Sequence, residues 1–407
     1  MALIKSISGI RGTIGGKPGN GLTPLDIVKF TSAYAMWVKK QEKKESYRVM
    51  IGRDARISGS MVNQIVCGTL TGMGMDVTDI GPATTPTVEI AVEAENADGG
   101  IILTASHNPV QWNALKLLNN KGEFLTDKDG VELLDVANRE DFDYAEVFNL
   151  GKYNIDKSFA RKHIKAVVEL PLVDVEAIKK RGFKIAVDCV NSVGGIIIPE
   201  LLKELGVNEI IELYCESNGL FPHNPEPLPE HLQELSAKVI SNKADLGFAV
   251  DPDVDRLAIV NEDGSMFGEE YTLVAIADYV LGNNPGNTVS NLSSTQALRE
   301  LTENYGCTYT ASAVGEVNVI TEMKKNKAVI GGEGNGGVIY PDLHYGRDAL
   351  VGIALFLTHL AKQGVTCSQL RKRYPYYHLS KNKIQLSEGI NIDKILRISK
   401  NNTQIIL

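Results

Sequence analysis

Three polar loops in this chain hold residues able to do chemistry. The first is TASHNP, Thr104–Pro109, which follows the mostly apolar run Gly100–Leu103. Ser106 lies three residues before Pro109, so its hydroxyl sits in a tight turn at a strand end. A hydroxyl there could carry a phosphoryl group or attack an acyl group. The acyl role needs a histidine base oriented by an acid. Neighbouring His107 is poorly placed to fold back as that base, and no GxSxG elbow occurs in the chain. A serine that only caps a turn is the plainer alternative.

The second loop is DPDVD. Asp251, Asp253 and Asp255 stand at i, i+2 and i+4, which brings three carboxylates within a few ångströms and suits Mg²⁺. Without a cation or protons they would repel strongly. An EF-hand is excluded, although Glu262 falls at the twelfth place. The sixth place holds Arg256 instead of glycine, and LAIV (Leu257–Val260) reads as a strand leaving the loop. A solvated acidic turn is the alternative, made less attractive by the apolar strands on both sides.

The third loop, GGEGNGG, places Gly332, Gly334 and Gly337 in GxGxxG spacing. A dinucleotide fingerprint would run on into a helix. Here VIYPD follows and Pro341 stops any helix, so that reading fails. What remains is a loop presenting Glu333 and Asn335, a carboxylate and an amide suited to sugar hydroxyls or an amino group. Basic residues in loop or glycine-rich settings are candidates for anion binding: Arg11, Arg53, Arg56, Lys116, Arg256 and Arg347, chiefly Arg11 and Lys116.

The elements that must position these loops repeat. Strand-like runs at Arg48–Gly52, Phe183–Val187 and Asn287–Leu292 each lead to a helical stretch, near Gly59–Met73, Gly195–Leu205 and Thr295–Tyr305. Gly74, Gly206 and Gly306 follow as helix-ending positions where positive φ is cheap. Alternating strands and helices imply βαβ units with partly parallel sheets. Each unit later sends a strand into one of the three loops, so three similar α/β domains would feed one shared cleft. Glu140–Asn154 loses periodicity, and Phe221–Leu232 is too rich in proline for a central strand.

Length and composition agree. The chain has 407 residues, of which 43% are hydrophobic and 23% charged, a multi-domain globular composition. Acidic residues outnumber basic ones 50 to 42, for a net charge of −8, which argues against a nucleic-acid surface. The longest apolar stretch, Ala349–Ala361, is broken by Thr358 and His359 and falls short of the ~18 residues of a membrane span. MALIKSISGIRG lacks a signal-peptide core. Five scattered cysteines without a CxxC pair suit reduced thiols, so a cytoplasmic location is expected.

TASHNP, DPDVDR at Asp251–Arg256, SGIRG at Ser8–Gly12 and GEGNGG at Gly332–Gly337 stand in the order seen in α-D-phosphohexomutases. The chain is identified as a member of that superfamily, which includes phosphoglucomutase, phosphomannomutase and phosphoglucosamine mutase; the likeness runs to about Ile395. It implies α/β/α domains with mixed sheets around a central cleft. Residues 1–150 would hold the phosphoserine loop, 151–256 the metal loop and 257–371 the sugar loop, with 372–407 a linker and remnant of a fourth domain. It also implies that Ser106 carries the phosphoryl group, with Arg11, Lys116 and His107 beside it and Lys116 in acid–base work. One Mg²⁺ would sit between Ser106 and the three aspartates, and Arg256, Glu333 and Asn335 would bind substrate. A hexose 1,6-bisphosphate would serve as activator.

Two departures matter. Many members end the third loop in histidine (GEMSGH, GEQSGH), where this chain has Gly337. The RxSxTEP phosphate-gripping motif of the fourth domain is absent, and Arg397–Leu407 echoes it only faintly, so the chain reads as truncated. The expected activity is interconversion of hexose 6- and 1-phosphates, with phosphoglucosamine first. The alternatives are a phosphoglucomutase/phosphomannomutase, a phosphatase-like leak from Ser106, and a non-catalytic sugar-phosphate binder. The expected partner is a small sugar phosphate, with no nucleic acid and no membrane.

Overall fold

The computed structural model describes residues 2–6 and 9–377. Ser8 of the SGIRG motif, and the expected domain remnant from residue 378 onward with Arg397–Leu407, lie outside the described residues. The first sheet is built from β1 (Leu3–Ser6), β2 (Gly9–Thr13), β3 (Arg48–Arg53), β4 (Asp76–Pro82), β5 (Gly99–Leu103), β6 (Trp112–Leu118) and β7 (Tyr153–Ile155). The second contains β8 (Lys184–Asp188), β9 (Glu209–Leu213), β10 (Leu246–Val250) and β11 (Leu257–Asn261). The third contains β12 (Thr288–Asn291), β13 (Tyr309–Ser312), β14 (Ile330–Gly332) and β15 (Val338–Ile339).

The same four-strand order occurs in all three sheets: β6-β5-β3-β4, β11-β10-β8-β9 and β15-β14-β12-β13. In each, the first strand pairs in parallel with the second and third, and the fourth returns antiparallel to the third. The repeat read from the sequence is therefore real, and the three polar loops are equivalent turns between third and fourth strands. The first sheet is extended by the β1–β2 hairpin on one side and β7 on the other. Because β7 pairs with β4, the first unit continues past residue 150 to Ile155. Because β11 pairs with β10, the second unit continues past Arg256 through Asn261. Both expected boundaries shift for the same reason: a strand belongs with the sheet that satisfies its backbone.

Alternation along the strands makes the three layers. Val49, Ile51, Ile101 and Leu103 face a cluster with Phe30, Tyr34, Val66, Leu70 and Leu133 from the helices Pro24–Gln41, Gly59–Gly72 and Asp127–Arg139. Met50 and Ile102 face the other side, with Val88, Val92 and Phe159 from the helices Thr85–Ala94 and Phe159–Val168. Apolar residues on both faces are what a largely parallel central sheet requires. Burying each such side chain contributes roughly 1.5–3 kcal/mol, and truncating Leu70 to alanine would cost about 2–5 kcal/mol.

The first helix starts at a reciprocal cap, Thr23 with Asp26, followed by Pro24. Gly74, Gly206 and Gly306 have φ of 75°, 84° and 71°, as their helix-ending positions demand. The apolar stretch around Ala349 is a helix, Ala349–Gln363, buried at every position from Ala349 to Leu360. It is apolar all round because it packs among other helices. No helix among the described residues is long and apolar enough to cross a membrane.

Candidate active site

The turn after β5 is held in an unusual shape. Ser106 has φ +49°, a left-handed conformation that costs a non-glycine residue roughly 1–2 kcal/mol. Its amide donates to Thr104 Oγ1 at 3.0 Å, and that hydroxyl donates to Asp54 Oδ2 at 2.7 Å. Asp54 in turn accepts from Arg56 Nε at 2.9 Å. The Arg56 guanidinium, fully buried, also donates to the carbonyls of Ser106, Asn108, Pro109 and Trp112. Nε is thus spent on Asp54 and the two terminal nitrogens on backbone carbonyls of the loop and its exit. Arg56, a candidate anion binder by sequence, is instead the brace of the serine turn, and the Arg53 side chain donates to the Asp54 carbonyl.

The brace aims Ser106 Oγ at the second loop, where it donates to Asp251 Oδ2 at 3.0 Å across 145 residues of sequence. His107 Nδ1 lies 3.3 Å from the same hydroxyl. Burial, with Arg256 and Arg11 nearby, drops the His107 pKa to about 3, so the ring is neutral at ordinary pH. Arg11, on β2, reaches the loop through Asn108 Oδ1 at 2.9 Å.

The DPDVD turn is itself strained, with Val254 at φ +62°; for a β-branched residue this is a true outlier. Asp251 Oδ1 holds it by accepting from the amides of Asp255 and Arg256 at 3.1 and 3.2 Å. The three aspartates are fully buried, and one oxygen from each lies within 4.8 Å of the others. Burial pushes the Asp251 pKa well above the usual carboxylate range, helped by Asp255 and Asp253. Burial acts the same way on Asp253, but Lys116 outweighs it and the net shift is downward. Lys116, on β6, donates to Asp253 Oδ2 at 2.6 Å and lies 3.6 Å from Asp255 Oδ2. Burial alone would lower its pKa, and the two aspartates reverse that.

Asp253 Oδ1 and Asp255 Oδ1 are buried without a hydrogen-bond partner. Leaving such oxygens unpaired is expensive, and three hard carboxylate donors with free lone pairs fit a divalent cation such as Mg²⁺. Arg256 Nε is likewise buried without a hydrogen bond, 3.9 Å from Asp255 Oδ1, with its NH1 3.5 Å from Glu226. A buried donor without a hydrogen bond suits an incoming anion.

The third loop meets the second through Arg347, which donates from NH2 to Asp255 Oδ2 and from NH1 to Glu333 Oε2, both at 2.6 Å. Glu333 also accepts from Asn291 Nδ2 at 2.7 Å and the Gly315 amide at 3.2 Å. Asn335 Nδ2 reaches Glu333 at 3.4 Å, the longest of these contacts. Burial tends to raise the Glu333 pKa, but Arg347 and Asn291 lower it, so the carboxylate is ionised. All ten residues singled out as the site are thus interlinked or adjacent.

Three contributors were not singled out from sequence. Thr85, at the start of the helix Thr85–Ala94, donates from Oγ1 to Asp253 Oδ2 at 2.6 Å and from its amide to the Asp253 carbonyl at 2.9 Å. Thr84–Pro86 reads as a helix start, but nothing local says which loop it meets. Glu316 accepts from both the amide and Nε of Arg347. Asp348 acts one step away: it accepts from Leu350 at the head of the helix Ala349–Gln363, whose first amide, Ala349, donates to the Val254 carbonyl of the metal loop at 3.2 Å, and it lies 2.9 Å from His163 Nε2.

Comparison with known proteins gives the same answer. Residues 3–144, 161–264 and 268–377 match phosphoglucomutase/phosphomannomutase α/β/α domains I, II and III respectively. A phosphoglucomutase/phosphomannomutase of Thermococcus kodakarensis is 35% identical over 91% of this chain and 81% of its own. A phosphoglucosamine/phosphogalactosamine mutase of Sulfurisphaera tokodaii is 30% identical over 98% of this chain and 86% of its own. The crystal structure of a phosphoglucomutase/phosphomannomutase family protein from Burkholderia thailandensis superposes with a TM-score of 0.80 at 28% identity, covering 92% of this chain and 81% of that one. With three matched domains and relatives that are named mutases, the chain belongs to the phosphoglucomutase/phosphomannomutase family of α-D-phosphohexomutases, which are enzymes.

Proposed function

We propose that this enzyme interconverts hexose 6-phosphate and hexose 1-phosphate through a phosphoryl group on Ser106, with glucosamine phosphate as its first substrate. The observation that carries the reading is the placement of Ser106 Oγ 3.0 Å from Asp251, in a triad that also holds two buried carboxylate oxygens without hydrogen-bond partners. Ser106 and Asp251, Asp253 and Asp255 would hold one Mg²⁺. When bound, the ion supplies positive charge to the phosphoryl group in transit.

In the forward step the Ser106 Oγ–P bond breaks as a P–O bond forms to the free hydroxyl of the sugar monophosphate. The product is a hexose 1,6-bisphosphate, which also explains why such a bisphosphate would prime the enzyme. After the sugar turns over, its other phosphate returns to Ser106. Lys116 is the proposed proton carrier: its ammonium protonates Ser106 Oγ as that oxygen leaves, and the attacking hydroxyl restores the proton. Arg11 and Arg256 would face the phosphoryl oxygens, and neutral His107 would hydrogen-bond beside them. Glu333 and Asn335 would take the sugar hydroxyls, the long Asn335–Glu333 contact being the one most easily exchanged. The five free cysteines support a reducing compartment, the cytoplasm.

The Sulfurisphaera relative supports an amino sugar, and the Thermococcus relative keeps glucose and mannose phosphates as the second reading. Turnover of glucosamine, glucose and mannose 6-phosphates, each with Mg²⁺ and its 1,6-bisphosphate, separates them. The proposal expects the highest kcat/KM on glucosamine 6-phosphate. A preference for glucose or mannose selects the second reading, and binding without turnover overturns both.

A further inference from the structure

We infer that Arg347 is a positioning residue that locks the metal loop to the sugar loop, and that Gly337 is glycine to leave room for it. The inference rests on the proposed function for what the two loops bind. One guanidinium spans three carboxylates from three segments: Asp255 of the metal loop, Glu333 of the sugar loop and Glu316 at the head of the helix Glu316–Asn326. Its backbone is fixed as well. Arg347 bridges Ile339 of β15, and the next residue caps the helix Ala349–Gln363. The side chain therefore leaves a rigid base and is held at all three ends.

Its path runs directly over residue 337. A Cβ at Gly337 would come within 2.4 Å of Arg347 Cδ and 3.1 Å of Cγ. Gly337 is not among the glycines with positive φ, so its backbone does not call for glycine. Space does. This explains the departure at the end of the GEGNGG loop: any side chain at 337 and the extended Arg347 would compete for one volume. At the place where many members carry a histidine, the Arg347 side chain of this chain passes, entering from the residue bridged to Ile339.

A point-charge ammonium keeps the positive charge but cannot reach three carboxylates at once, so Arg347→Lys isolates orientation from charge. Gly337→Ala disturbs the same side chain from the other side, also without changing charge. Each variant is expected to bind Mg²⁺, titrated calorimetrically without sugar, about 10–100-fold more weakly, the usual consequence of losing a partner that orients a metal ligand. Each should also weaken sugar-phosphate binding at saturating Mg²⁺ by a similar factor. In the double variant the two losses should not multiply, because both act through one side chain.

Weakening of only one ligand, or of neither, in a variant that melts like the wild type would overturn the inference, as would fully multiplicative losses. Should Gly337→Ala fail to fold, the test moves to the Arg347→Ala background: no further loss of stability on adding Gly337→Ala there supports the shared volume, and a full additional loss refutes it. Failure of the functional reading looks different. A wild-type enzyme without mutase turnover whose variants still lose Mg²⁺ affinity would retain the lock while losing the activity.

Discussion

Replacing Arg56 with lysine should disable catalysis while leaving the fold intact. The left-handed Ser106 costs roughly 1–2 kcal/mol to hold. The charge-assisted bond from Arg56 to the Ser106 carbonyl contributes about 1.5–3 kcal/mol, so this one bond is enough to offset the strain. Three more carbonyls, those of Asn108, Pro109 and Trp112, depend on the same guanidinium. Lysine keeps a positive charge beside buried Asp54, which avoids the 3–5 kcal/mol or so that an unpaired buried charge would cost. It cannot, however, reach four carbonyls spread around the turn. The turn should relax toward negative φ and carry Ser106 Oγ away from Asp251. A misplacement of about 1 Å costs on the order of 100-fold in rate, so kcat/KM should fall about 100-fold while the melting temperature drops only modestly. The assay is mutase turnover beside a thermal melt. Wild-type turnover in Arg56→Lys would refute the claim that the brace holds the serine in its reactive position.

The acidic triad should make the protein more heat-stable in Mg²⁺ than in EDTA, by about 2.7 kcal/mol at a hundred times the dissociation constant. In Asp251→Asn the gap should close, and the EDTA melt should rise because the cost of burying the carboxylate, which with repulsion from Asp255 and Asp253 raises the Asp251 pKa, is removed; equal wild-type melts with and without Mg²⁺ would count against a metal site. His223 ties the proline-rich loop to the end of β8, with Nε2 3.0 Å from Asp188 and Nδ1 2.8 Å from the Asn224 carbonyl. Burial lowers its pKa, but these two acceptors favour the doubly protonated ring and the net shift is upward from 6.5. Its contribution is thus complete below pH 6.5 and lost as pH rises through the higher folded value. His223→Asn should cost about 1 kcal/mol at pH 6, allowing for partial exposure, and nothing at pH 9 by chemical denaturation. An equal cost at both pH values would refute the charged-ring assignment.

What could be read from sequence was local. Ser106 and the aspartates sit in short motifs whose residue types already limit the chemistry, and glycines 74, 206 and 306 mark helix ends by backbone need alone. The three repeated strands were legible because their apolar runs and helix spacing repeat. What stayed hidden depends on pairing across the chain. Arg56 and Ser106 lie 50 residues apart, and Arg347 and Asp255 lie 92 apart; nothing in GRDARISG or HYGRDAL says which carbonyl or carboxylate each will find. The same limit misplaced two unit boundaries. β7 and β11 belong with sheets whose other strands lie far upstream or across a polar turn, and sequence spacing does not reveal a ladder.

Everything about the site turns on whether Ser106 carries the phosphoryl group. Incubating the purified protein with glucose 1,6-bisphosphate and Mg²⁺, then mapping phosphopeptides by mass spectrometry, tests that directly. The account predicts one phosphoryl group gained on the peptide containing Ser106, lost again on adding hexose phosphate, and absent in Ser106→Ala. Sustained mutase turnover with no phosphate on Ser106, or with the phosphate on another residue, would contradict it.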